Sequence, residues 1–164
     1  MALRVVLSLV VLAGMGCATT PVAKSAAEED ALARVAAVHG GAGPWAVAGY
    51  RMGEYALGAL GLRAGSFDLE VIHHSPSQVQ YACVADGAAA ATGASLGKLN
   101  LTRLDAAETV TTFRNRATGK SLTLRPAASF VERFRDVPRE QLAVRGREVL
   151  TLPDAEVFEV VTGS

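Results

Sequence analysis

The sequence predicts an α+β fold in one domain: a small mixed β-sheet with helices packed on one face. Three observations carry this. Residues 27–60 are Ala-rich, with apolar positions at helical spacing and a Gly/Pro break at His39–Pro44. Phe67–His73 alternates between Phe, Leu, Val and His on one side and Asp, Glu and Ile on the other. Between Lys98 and Arg125 short strand-like segments are joined by an Arg-Ala-Thr-Gly-Lys turn. With 164 residues the chain suffices for one ordinary core and is short for two domains.

The elements follow in order. Residues 1–16 read as a signal peptide: Arg4 gives a thin positive start, and Val5–Leu12 is an apolar stretch too short to span a bilayer. Gly14-Met15-Gly16-Cys17 resembles a bacterial lipoprotein processing site, with Gly14 where Leu is usual. Cys17 is then the lipidated first residue of the mature protein. Residues 17–26 are expected to be a polar tether and 27–164 the folded domain. Ala18 after the cysteine resembles the outer-membrane sorting preference, so the expected location is the periplasm, anchored to the outer membrane, with membrane contact through the lipid only.

Ala27–Val38 is expected to be helical, with acids in its first turn to suit the helix dipole. Pro44–Leu60 is the next helix: Pro44 fits its first turn, and Gly61 marks its exit. After the Phe67–His73 strand, Ser77–Ala91 is a helix of small residues closed by Thr92-Gly93. Its Ala88–Ala91 run permits close packing on a neighbouring element. Lys98–Leu104, Glu108–Asn115 and Ser121–Arg125 are strands; Phe130–Asp136 and Pro138–Leu150 are helical, and Pro153–Val160 closes the chain.

The formal net charge is zero, which points away from nucleic acid and from a polybasic membrane surface. The three histidines, Cys83, Asp86 and Lys98 gather around two Gly-rich segments, His39–Pro44 and Tyr81–Leu101. With Cys17 acylated, Cys83 is a free thiol in an oxidising compartment, and such thiols are buried or used. His39, Gly40, Gly41 and Gly43 lead into a helix start whose first N–H groups are free, and Lys98 adds charge. That set, with Cys83 and Asp86, is the candidate ligand site for a phosphate or carboxylate. His39, His73, His74 and Cys83 are the candidate metal ligands. The basic cluster Arg133, Arg135, Arg139, Arg145 and Arg147, offset by acids, is expected to be a solvated surface or a dimer rim.

Cys83-Val84-Ala85-Asp86-Gly87, Thr92-Gly93-Ala94-Ser95-Leu96-Gly97-Lys98-Leu99-Asn100-Leu101 and Thr118-Gly119-Lys120 together resemble the FmdE-like domain family of formylmethanofuran dehydrogenase, over about His39 to Val160. The resemblance implies a fold like the catalytic-domain sheet of glyceraldehyde-3-phosphate dehydrogenase, a homodimer, and zinc at a His-Gly-His-x-Cys-Pro loop. In that loop only His39, Gly40 and Pro44 match: Gly41 stands where the pattern has His and Gly43 where it has Cys. Ala89 stands where the pattern has Gln. Zinc needs three or four ligands, so no cofactor is assured and zinc is the one candidate. Formylmethanofuran chemistry itself belongs to other, cytoplasmic chains of that enzyme and is not expected here. The leading expectation is non-catalytic binding of a small anionic or metal-containing ligand. The alternatives are a metal- or thiol-dependent enzyme or metal carrier with a rearranged His/Cys site, and a structural envelope lipoprotein acting by protein–protein contact.

Overall fold

The computed structural model describes residues 21–163. The expected signal peptide, Cys17 and the first part of the expected tether lie outside the described residues. Helix α1 (Pro21–His39) takes in residues 21–26 of that segment, so the helix expected from Ala27 already includes Pro21. Gly40, at φ +84°, closes α1 with its N–H on the Ala36 carbonyl, 2.8 Å away. Helix α2 (Pro44–Leu60) has the expected bounds, with Pro44 in its first turn and Gly61 in the left-handed region at its C-terminus. Strand β1 (Leu69–Ser75) leads to α3 (Val79–Thr92), capped by Gly93 at φ +69°. A 3-10 turn, Leu96–Lys98, precedes β2 (Leu101–Asp105), so the expected strand start at Lys98 is a turn instead. Strands β3 (Val110–Asn115) and β4 (Ser121–Pro126) form the expected hairpin. Helices α4 (Ala128–Phe134), α5 (Leu142–Thr151) and α6 (Asp154–Val157) follow, and strand β5 (Phe158–Gly163) ends the domain.

The sheet order is β2-β1-β3-β4-β5, with β1 and β2 parallel and the remaining pairs antiparallel. This is the mixed sheet expected. Its one unforeseen member is β5, an edge strand on β4. The inner face is read directly from the alternation: Leu69 and Val71 on β1, Phe113 on β3, Leu122 and Leu124 on β4, all buried. Against it pack Met52, Ala56 and Leu60 of α2 and Val84 and Ala88 of α3, in one core that also takes in Trp45, Phe130 and Phe134. The opposite sheet face carries cross-strand polar pairs. Thr112 and Thr123 hydroxyls lie 2.9 Å apart, and Arg125 and Glu159 are ion-paired at 2.8 Å.

The α2–α3 contact positions everything that follows. An ideal Cβ at Gly87 would sit 1.7 Å from the Ala46 carbonyl oxygen, and one at Gly49 2.1 Å from the Val84 carbonyl oxygen. The two helices touch backbone to backbone, and only glycine permits that approach. Gly146 of α5 likewise lies against the loop between α1 and α2, where a Cβ would meet the Ala42 carbonyl oxygen at 1.8 Å. No helix among the described residues is long and apolar enough to cross a membrane.

Candidate functional site

The Gly40–Gly43 loop, held from behind by α5, brings the end of α1 over the first turns of α3. His39 is the last residue of α1, and Cys83 and Asp86 lie one turn apart on α3. The His39 ring bridges them. Its Nδ1 is 2.8 Å from Asp86 Oδ2, and its Nε2 is 3.2 Å from Cys83 Sγ. A carboxylate only accepts, so Nδ1 carries the proton and Nε2 presents its lone pair to sulfur. Cys83 Sγ is also 2.9 Å from the Val79 carbonyl oxygen, a second acceptor for the thiol proton. His39 and Asp86 side chains keep 24% and 47% exposure, whereas Cys83 is nearly buried at 9%. Burial, and then the Asp86 charge, push the Cys83 thiol up to about 11, so near neutral pH it rests protonated.

The site opens into a cleft of about 530 Å³. The Gly40–Gly43 loop and the start of α2 form one wall, and Val79, Gln80 and Cys83 of α3 another. Val137, Leu142 and Ala143 close the third side, with Arg139 among them. The first helical bond of α2 runs from Val47 N–H to Gly43 C=O at 3.0 Å, leaving the Trp45 and Ala46 N–H groups at the helix start without intrahelical acceptors. Pro44 contributes none. Arg139 is exposed and forms no ion pair among the described residues. Within the basic cluster Arg133 and Arg145 share Glu148 and Arg147 pairs with Glu29, whereas Arg135 is, like Arg139, exposed and without an ion pair among the described residues; of these two, Arg139 is the one that lines the cleft. The sequence groups Arg139 with these four arginines, and nothing in its local sequence marks it as the one at the cleft.

The other nominated residues are elsewhere. Lys98 is not part of the cleft. Its Nζ donates to the Gly65 and Gly93 carbonyls, both at 2.9 Å, and lies 4.7 Å from the Phe67 ring centre, tying the α3 terminus to the loop before β1. Asn100 of the same motif is also structural, with its side chain on Leu69 C=O and Ser95 N–H. His73 and His74 do not converge with His39 and Cys83. His73 is fully buried on the helix side, with Nδ1 2.8 Å from the Thr111 hydroxyl and Nε2 3.0 Å from the Tyr81 carbonyl. Burial lowers it to about 4, a neutral core histidine. His74 is on the opposite face of β1, as period-two alternation requires, and its Nδ1 is buried with no hydrogen-bond partner.

Among the described residues no three His, Cys, Asp or Glu side chains are grouped closely enough to hold a metal. His39 Nε2 and Cys83 Sγ are two donors, with Asp86 behind the imidazole in the position of an outer-shell carboxylate. Gly41 and Gly43 supply no further donor. The residues present do not fit zinc.

The family model described as "FmdE, Molybdenum formylmethanofuran dehydrogenase operon" matches residues 38–159. No curated protein matches the chain. The match takes in His39, Cys83, Asp86 and Arg139 and every element from α2 to α6, leaving outside it residues 21–37 of α1 and 160–163 of β5.

Proposed function

The chain belongs to the FmdE family, and on that footing we propose that it binds a small anionic molecule in the cleft between the Gly40–Gly43 loop and α3. The observation that carries this reading is Arg139. It is a cation at the cleft without an ion-pair partner among the described residues, facing a glycine loop and a helix start rather than a wall of carboxylates. Helix-start N–H groups and a guanidinium are complementary to a carboxylate or phosphate. The apolar side chains Val79, Val137 and Leu142 suit an aliphatic portion of the same ligand. Gly41 leaves the site open, since a Cβ there would meet nothing within 4 Å.

The test is calorimetric titration of the full chain with succinate and with inorganic phosphate. Binding is expected, and Arg139→Ala is expected to weaken it by roughly 10- to 100-fold, the worth of a charge-assisted hydrogen bond. Equal affinity in the variant, or no binding of either probe, overturns the reading.

The cellular setting is proposed on sequence grounds alone. Acylation of Cys17 would tether the domain to the periplasmic side of the outer membrane, and homodimerisation rests on the resemblance to the family. Membrane release of a Cys17→Ser variant supports the first, and retention in the membrane fraction counts against it.

A further inference from the structure

We propose that Cys83, His39 and Asp86 form a nucleophilic triad that accepts an acyl group from an anionic acyl ester or thioester held in the cleft. This inference rests on the binding reading above and adds a covalent step to it. The geometry is that of a nucleophile, a base and a group that orients the base. Sulfur lies 3.2 Å from Nε2, and Nδ1 lies 2.8 Å from Asp86 Oδ2. The residues come from two helices, and His39 is separated by 44 positions from Cys83 and by 47 from Asp86. A cysteine serving only to fill space needs neither the imidazole nor the carboxylate behind it. Cys83 and His39 both line the cleft, together with Arg139 and the free N–H end of α2.

The step balances without any outside oxidant or reductant. The Cys83 S–H proton passes to His39 Nε2 as sulfur bonds to the acyl carbonyl carbon, and Asp86 stabilises the imidazolium that results. The carbonyl oxygen becomes an oxyanion, for which the N–H groups of Trp45 and Ala46, residues that line the same cleft, are suitable donors. The bond from carbon to the alcohol oxygen or thiol sulfur then breaks, and the leaving group takes the proton from Nε2. Water, giving a proton to the same Nε2, attacks the thioester. The carbon–sulfur bond breaks, Cys83 regains its proton, and a carboxylic acid departs. Because the resting thiol is protonated, the reaction depends on the base at each turnover rather than on a standing thiolate. Arg139 selects substrates bearing a second, anionic group.

The experiment treats the full chain with mono-4-nitrophenyl succinate and, in parallel, neutral 4-nitrophenyl acetate. It follows 4-nitrophenolate release and the intact mass of the protein. A succinyl adduct on Cys83 of the folded chain is expected, absent in Cys83→Ser and favoured over acetylation. His39→Gln is expected to slow its formation by about 100-fold, the usual share of a general base. Asp86→Asn is expected to slow it as well, and thermal unfolding of each variant checks that the fold is intact. An adduct that appears only in denaturant, or at a rate indifferent to His39 and Asp86, overturns the proposal. Succinate titration of the parent chain separates the two readings: succinate binding with no acylation of the folded parent removes only the triad, and absence of both removes the anion cleft too.

Discussion

Replacing Gly87 by Ala should be among the most damaging single-methyl changes in this protein. The added Cβ would lie 1.7 Å from the Ala46 carbonyl oxygen and 2.7 Å from the Tyr50 nitrogen, both backbone atoms that no rotamer change can move. Reaching ordinary contact at 3.4 Å requires α2 and α3 to part by about 1.7 Å. That opening would run through the central helix pair, beside Val84 and Ala88, which are both fully buried. Overpacking of this kind costs about 1–3 kcal/mol and more where backbone blocks relief, so a loss of at least about 3 kcal/mol is expected. For a domain of this size that is a fall in Tm of roughly 10 °C. Gly58→Ala is the matched control. It lies in the same α2, is exposed, and its Cβ would meet nothing within 4 Å. It should stabilise the protein by about 0.5–1 kcal/mol through helix propensity alone. Urea unfolding followed by fluorescence of the single tryptophan, Trp45, reports on this region, because its ring packs edge-on to Tyr81 of α3 at 5.0 Å. Equal stability of Gly87→Ala and the parent chain would refute backbone-to-backbone packing, and with it the account of how His39 is held over Cys83.

Two further outcomes are expected. His73 is neutral in the fold, lowered from 6.5 to about 4, so the unfolded chain takes up that proton first as pH falls. Its contribution is complete above about pH 6.5 and shrinks by roughly 3 kcal/mol towards pH 4. His73→Gln should be less stable at neutral pH yet lose less between pH 6.5 and 4, and parallel pH–stability curves for the two chains would count against this. Gly41→His with Gly43→Cys restores two donors at positions with room for them: a Cβ at Gly41 meets nothing, and one at Gly43 meets only Leu142 Cδ2 and Cβ, at 3.6 and 3.9 Å. The double variant should carry about one zinc per chain after incubation and dialysis, against a trace in the parent. Zinc bound equally by the parent would overturn the judgement that two donors are too few.

The candidate site was half legible in the chain. His39, Cys83 and Asp86 were singled out by residue type and by their Gly-rich settings, and the fold unites them. The separation of His73 from His74 was also readable, because neighbours on a strand face opposite sides. Lys98 misled for a physical reason: a lysine beside a helix end looks the same in sequence whether it awaits an anion or, as here, satisfies the carbonyls of Gly65 and Gly93. Strand β5 escaped because the adjacent Val160-Val161 breaks simple alternation and its pairing on β4 is irregular, with a register shift at Thr123/Leu124.

By itself, then, the sequence determined what depends on a few consecutive residues. Pro44 and Gly61 bound α2, Gly40 and Gly93 end α1 and α3, and the alternation of β1, β3 and β4 selects their buried face. These follow from backbone preference and hydrophobic period, which act locally. Only the tertiary structure decided that α2 and α3 meet at Gly49 and Gly87, that His39 Nε2 meets Cys83 sulfur, and that Arg139 lies at the cleft with no ion-pair partner among the described residues. Those facts rest on which surfaces bury each other between segments far apart in the chain, and on competition among charges for partners. Packing resolves both only once the whole domain has closed around its core.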